Sequence, residues 1–356
     1  MTPKRWIIAI VSFALAIGVS VYIVLSTWPE EGGGRALLPP LAHLLALGAV
    51  SFEIITRTLK IQLSAASLRI PLSFSAAMRV VLGGDFGAAI TPSRTGAEPA
   101  RFLVLAEAQV PVPGIILILW AELFLEMLSL WVVCAILGLL LDGYREILWG
   151  VSAGYALLVF GLGAIGALLS RGRTAGTAPE WAKRIGLGGA RWRGIQRSFR
   201  HLRSSIQALR HAHAGWATLS LLSSVVHVAF RLSILPLIVW ALGAEVPLAP
   251  LVMKPLAIFY GGVIFPAPGG GGLMEVAFKL SLGDVIPAAI FPAALIWWRF
   301  YTFYLYVILG ALATGRTVMR ALVGNGERRD EEERDPAIGT PEPAVATESP
   351  TPKPSR

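Results

Sequence analysis

The chain has 356 residues, 55% of them hydrophobic and only 15% charged, with a mean hydropathy of +0.65. Soluble domains carry nearer a quarter charged residues, so this composition excludes an ordinary soluble fold and points to helices in a bilayer. The net charge of +9 does not imply a nucleic-acid partner, because most basic residues stand between apolar blocks, where they read as topology signals.

Lys4 and Arg5 precede an apolar run from Trp6 to about Thr27. It exceeds the usual signal-peptide core of about 7 to 15 residues and lacks a small-x-small cleavage site before Pro29, so it is expected to be a retained first helix. Further runs long enough to span fall at Leu37 to Ile55, Val112 to Leu141, Ile147 to Leu169, Trp216 to Leu242 and Ile286 to Thr314. Six spans are therefore predicted. Lys and Arg cluster at 4–5, 57–79, 171–210 and 316–329, which places those stretches and both termini in the cytoplasm. Glu53 and Arg57 then form an interfacial pair at a helix end, outside the expected site. The stretch 171–210, with ten Lys or Arg against Glu180 alone, is expected to lie on anionic lipid as an amphipathic helix within a cytoplasmic loop at about 170–214. Residues 1–315 form the membrane domain, and 316–356, rich in charge and then in Pro, Thr and Ser, are predicted to be a disordered tail.

Two apolar segments, about 72–110 and 250–284, are too broken by Gly and Pro to be simple spans. The assigned sides make each leave and re-enter on one face, the first from inside and the second from outside. Opposed broken hairpins are what an inverted repeat predicts, with a site where their tips meet. The first carries Thr91-Pro92-Ser93-Arg94-Thr95-Gly96-Ala97-Glu98-Pro99-Ala100-Arg101. The second carries Pro266-Ala267-Pro268-Gly269-Gly270-Gly271-Gly272-Leu273-Met274-Glu275. Each runs from Pro through Gly to a helix start bearing Glu, and a helix start presents free N–H groups that attract anions. Arg94 and Arg101 add positive charge at the first tip.

Ionisable residues also stand inside the spans. Glu122 and Glu126 share a face of the third span, His227 and Arg231 repeat the i, i+4 spacing in the fifth, and Arg299 sits midway along the last. Four such charges cost about 10 to 14 kcal/mol if uncompensated, at about 2.5 to 3.5 each. They must pair, share a proton or line a wet cavity. Lys254 and Lys279 are expected to snorkel to the outer interface. Cys134, the only cysteine, reads as a buried inert thiol. Gly269 to Gly272 lack the Lys-Ser or Lys-Thr of a phosphate loop, and no metal or cofactor motif appears, so no cofactor is expected.

The two Gly-centred motifs, in this order, resemble those of the lysylphosphatidylglycerol synthase transmembrane region family, also described as flippase-like. The resemblance covers about Leu37 to Gly315, with Thr91-Pro92, Gly96, Glu98 and Arg101 matching one stretch, Pro266 to Glu275 the other, and Arg299 an arginine in the following helix. Relatives carry Glu-Arg and then Asp after the first motif, whereas this chain has Glu122-Leu123 and then Glu126, which removes one internal partner. The resemblance implies the translocating half alone, without the synthases' aminoacyl-transferase domain, in a prokaryotic cell (inner) membrane. The expectation is an all-α integral membrane protein that moves a phospholipid or lipid-linked molecule between leaflets. Its expected substrate-binding residues are Arg94, Gly96, Glu98, Arg101, Glu122, Glu126, Arg231, Pro268, Gly269, Gly270, Glu275 and Arg299. The alternatives are an intramembrane enzyme using paired carboxylates on a lipid head group, and a non-transporting partner of a cytoplasmic enzyme. A second copy of the chain is a further candidate partner.

Overall fold

The computed structural model describes residues 18–19, 21–28, 37–91, 94–141, 143–171, 214–261 and 272–317. The basic stretch 172–213, the tail beyond 317 and most of the first apolar run lie outside these, as do Pro268, Gly269 and Gly270. All regular structure among the described residues is helical.

The helices are α1 (Pro40–Ser67), α2 (Phe74–Ala89), α3 (Ala97–Glu107), α4 (Val112–Leu140), α5 (Arg145–Arg171), α6 (Ala214–Ala241), α7 (Leu248–Gly261), α8 (Leu273–Leu282) and α9 (Phe291–Arg299). The chain runs on from α9 through one π turn, Phe300–Tyr304, and stays helical to Thr317. Val112–Leu140, Ala214–Ala241 and Phe291–Thr317 are long and apolar enough to cross a membrane. Their outer faces carry bare hydrophobic side chains, among them Leu140, Trp240 and Leu312. Such faces suit lipid and would be a liability in water.

α1 departs from its sequence reading. The apolar run stops at Ile55, but the helix continues twelve residues to Ser67. Glu53, Arg57 and Lys60 fall on one helical face at i, i+4 and i+7, and all three are buried. Glu53 and Arg57 therefore pair but do not stand at a helix end; they stand mid-helix, facing α2 and α6. Packing of α1 along α6 is dressed by small hydroxyls, with Ser64 and Ser220 2.8 Å apart and Ser220 donating to the Lys60 carbonyl at 2.8 Å. Small residues let the two backbones approach closely where no water competes.

Each broken segment contains two helices too short to cross about 30 Å of hydrocarbon, since at 1.5 Å per residue α2 reaches about 24 Å and α3 about 16 Å. α2 begins on Ser73, whose hydroxyl accepts the Ala76 N–H at 3.2 Å, a local N-cap. α2 packs on α3, and α7 on α8. Gly87 and Gly96 make the first of these contacts so close that a Cβ on either would strike the other's carbonyl.

Candidate functional site

Thr91 explains why the first motif opens on threonine. Its hydroxyl donates to the Gly87 carbonyl at 2.8 Å and accepts the Gly96 N–H at 2.7 Å. One side chain thus closes the end of α2 and binds a donor at the start of α3, so Gly96 is not the free anion donor that its position suggests. Between them Arg94 adopts φ 58°, a left-handed conformation that costs an L side chain about 1 to 2 kcal/mol. Strain of this kind persists where surrounding structure imposes it, commonly at binding sites. In the second segment Gly272 caps α8 with φ 76°, which glycine tolerates, and Glu275 stands in the first turn, as Glu98 does in α3.

Arg94 lines a cavity with Asp85, Arg231, Phe259, Met274 and Arg299. Asp85 comes from α2, Arg94 from the α2–α3 connection, Phe259 from α7 and Met274 from α8, so both broken segments contribute to one wall. The cations arrive differently. Arg299 donates to Glu275 at 2.8 Å and lies over the Phe303 ring at 4.5 Å. Arg231 stands 3.7 Å from Glu53 and over Phe259 at 4.6 Å. Arg94 makes no ion pair or hydrogen bond among the described residues. Arg231 Nε and Arg299 Nη2 are buried donors that likewise lack a hydrogen-bond partner there. Asp85, the one acid in the wall, is engaged by both terminal nitrogens of Arg57, at 2.9 and 3.0 Å. Arg57 also meets Glu53 at 3.3 Å, and Glu53 accepts the Tyr306 hydroxyl at 2.8 Å. Four arginines thus face three carboxylates, and Arg94 is the one with no ion pair among the described residues.

A second network lies beside the first. Lys60 reaches Glu126 at 2.6 Å and Glu122 at 3.7 Å. Arg101 holds Glu122 at 3.1 Å and Glu98 at 3.0 Å. Glu126 also faces His227 Nε2 at 3.5 Å and accepts the Tyr260 hydroxyl at 3.3 Å. Here two cations face three acids. Arg101, Glu98, Glu122 and Glu126 belong to this cluster rather than to the cavity wall. Lys60 and Arg101 supply the compensation that an arginine beside Glu122 would have given.

Of the expected site residues, the structure gathers Arg94, Arg231 and Arg299 at one cavity, with Glu275 held behind Arg299. Glu53 and Arg57, expected outside the site, join its network, and Lys60, Asp85, Tyr260 and Tyr306 were not foreseen. Asp85 was legible, since an acid inside Leu-Gly-Gly-Asp-Phe-Gly falls under the same rule that singled out Glu122. Lys254 does not simply snorkel; its ammonium donates to the Ser281 carbonyl, tying α7 to the end of α8.

Residues 6–310 match the family described as lysylphosphatidylglycerol synthase TM region. The chain belongs to that family. With its apolar helices, membership makes it a multi-pass membrane protein of lipid-related type. No curated protein matches the chain. Within this family member the two Gly-centred motifs have distinct duties. The first sets Arg94 at the cavity and sends Arg101 to the carboxylates; the second runs into the first turn of α8, where Glu275 is the partner of Arg299.

Proposed function

We propose that the chain moves a lipid with an anionic phosphate head group between the leaflets of a prokaryotic inner membrane, with Arg94, Arg231 and Arg299 receiving the phosphate. The observation that carries this reading is the convergence of those three arginines, from separate elements, on one cavity walled by both broken segments. Guanidinium groups suit phosphate through paired N–H donors, and the cavity, about 30 Å³ in this conformation, has to widen to admit a head group. The short helices support re-entry of 72–110 and 250–284 from opposite faces, with the cavity walled by described residues of both segments. Glu122 and Glu126, each engaged by a cation, fit charge balance better than acid–base catalysis, which favours transport of the intact lipid over its modification. The basic stretch 171–210 then rests on anionic lipid at the cytoplasmic surface.

Leaflet exchange of fluorescent phosphatidylglycerol and phosphatidylcholine in liposomes holding the purified protein tests the reading, with mass spectrometry of the recovered lipid. Wild type is expected to speed exchange of unaltered phosphatidylglycerol, and Arg94→Gln and Arg231→Gln to slow it at least tenfold. Chemically altered lipid would replace this reading with an enzyme. No exchange of either lipid would overturn it.

A further inference from the structure

The two networks sit side by side with opposite imbalance. On the cavity side Arg57, Arg94, Arg231 and Arg299 face Glu53, Asp85 and Glu275. Across α1 and α6, Lys60 and Arg101 face Glu98, Glu122 and Glu126. With His227 neutral, the ordinary form at pH 7, six cations cancel six acids. An anion in the cavity satisfies the positive side and leaves the whole assembly one charge negative, in a setting where unbalanced charge is costly.

We propose that the pair formed by His227 and Glu126 takes up one proton when a phosphodiester anion occupies the arginine cavity, so that anion binding and proton binding are coupled. The inference rests on the function proposed above. His227 is the neutral member of the assembly able to gain a charge. Its Nε2 faces Glu126 at 3.5 Å, and its Nδ1 is buried with no hydrogen-bond partner among the described residues. From α1, Lys60 and Glu53 face the pair; from α7, Tyr260 reaches it through Glu126; from the last helix, Tyr306 touches it through Glu53. Arg231 lies one turn further along α6 and belongs to the cavity wall, so the same helix carries the sensor and a wall of the site. Glu126 is the less enclosed member of the pair, with one-third of its side chain left uncovered by protein. The proton comes from solvent, and no covalent bond changes.

Linkage fixes the sign. Binding that takes up a proton weakens as pH rises, by up to tenfold per unit for one proton. The experiment is calorimetric titration of the full chain in phosphatidylcholine nanodiscs with dihexanoyl phosphatidylglycerol, and separately with dimethyl phosphate, in buffers of different ionisation enthalpy. About one proton taken up per anion bound is expected, falling to near zero in His227→Gln and in Glu126→Gln. The wild-type measurement stands without the variants, should either fail to fold. Anion binding with no proton uptake would overturn the coupling and leave the lipid reading intact, and uptake that persists in both variants would place the proton elsewhere and overturn the assignment. Coupled binding of dimethyl phosphate but not of the lipid would support the coupling while removing the lipid reading. Binding of neither would overturn both.

Discussion

Arg94 sits in a left-handed conformation at φ 58°, so its backbone would be more comfortable as glycine. Arg94→Gly should relieve about 1 kcal/mol of strain while removing the charge nearest the uncompensated side of the cavity. Unfolding in detergent is expected to show unchanged or raised stability, and leaflet exchange a loss; a fall in both would mean that Arg94 is structural. Arg299 and Glu275 make the contrasting case, a buried pair at 2.8 Å in which each charge exists at the other's sufferance. Arg299→Leu should cost about 3 to 5 kcal/mol by stranding Glu275, and adding Glu275→Leu should recover part of that. The double-mutant cycle in a denaturant titration reads this directly. Single residues were legible in the sequence wherever an ion interrupted an apolar run, which is why Glu122, Arg231 and Arg299 stood out. Tyr260 and Tyr306 were not, because a tyrosine in a membrane helix costs little and gives no hint that its hydroxyl closes an ion network.

At the scale of elements, sequence patterning located the long apolar helices well and the charged one poorly. α1 was cut short because hydropathy treats Arg57 and Lys60 as the end of a span, whereas partners on α2 and α4 let both stay inside. How closely the broken helices of the first hairpin pack was invisible for a different reason: it depends on what is absent. Gly84 leaves room for the Arg101 side chain, and Gly87 for the backbone at Gly96. Gly87→Val should pry α2 from α3, costing about 1 to 3 kcal/mol by overpacking, whereas Gly154→Ala, mid-helix in α5 with open space around it, should raise stability by about 0.5 to 1 kcal/mol. Thermal melts of the two variants side by side check the claim, and equal effects would sink it.

For the whole molecule, the sequence showed its class plainly, because a chain so poor in charge has few ways to fold outside a bilayer. That both broken segments would meet at one site was expected from the sequence, but which residues wall it was not legible, since that rests on contacts between residues nearly two hundred positions apart. The sole cysteine offers a probe of the assembled state. Cys134 is buried in the same apolar cluster as α6 and α9, so maleimide labelling should be at least about tenfold slower in the folded protein than after unfolding in sodium dodecyl sulfate. Rapid labelling of the folded form would mean that α4 and α6 separate readily.

The π turn at Phe300–Tyr304 sets the phase of the last helix. One surplus residue rotates everything after it by about 100° relative to an uninterrupted α-helix. Arg299, just before the turn, grips Glu275 on α8; Tyr306, just after it, grips Glu53 on α1. Were the turn to relax with Arg299 kept in place, Tyr306 would swing about a quarter of a revolution away from its carboxylate. Both grips therefore coexist in one rotational setting, and the surplus residue is what lets a single helix turn one face to α8 and another to α1.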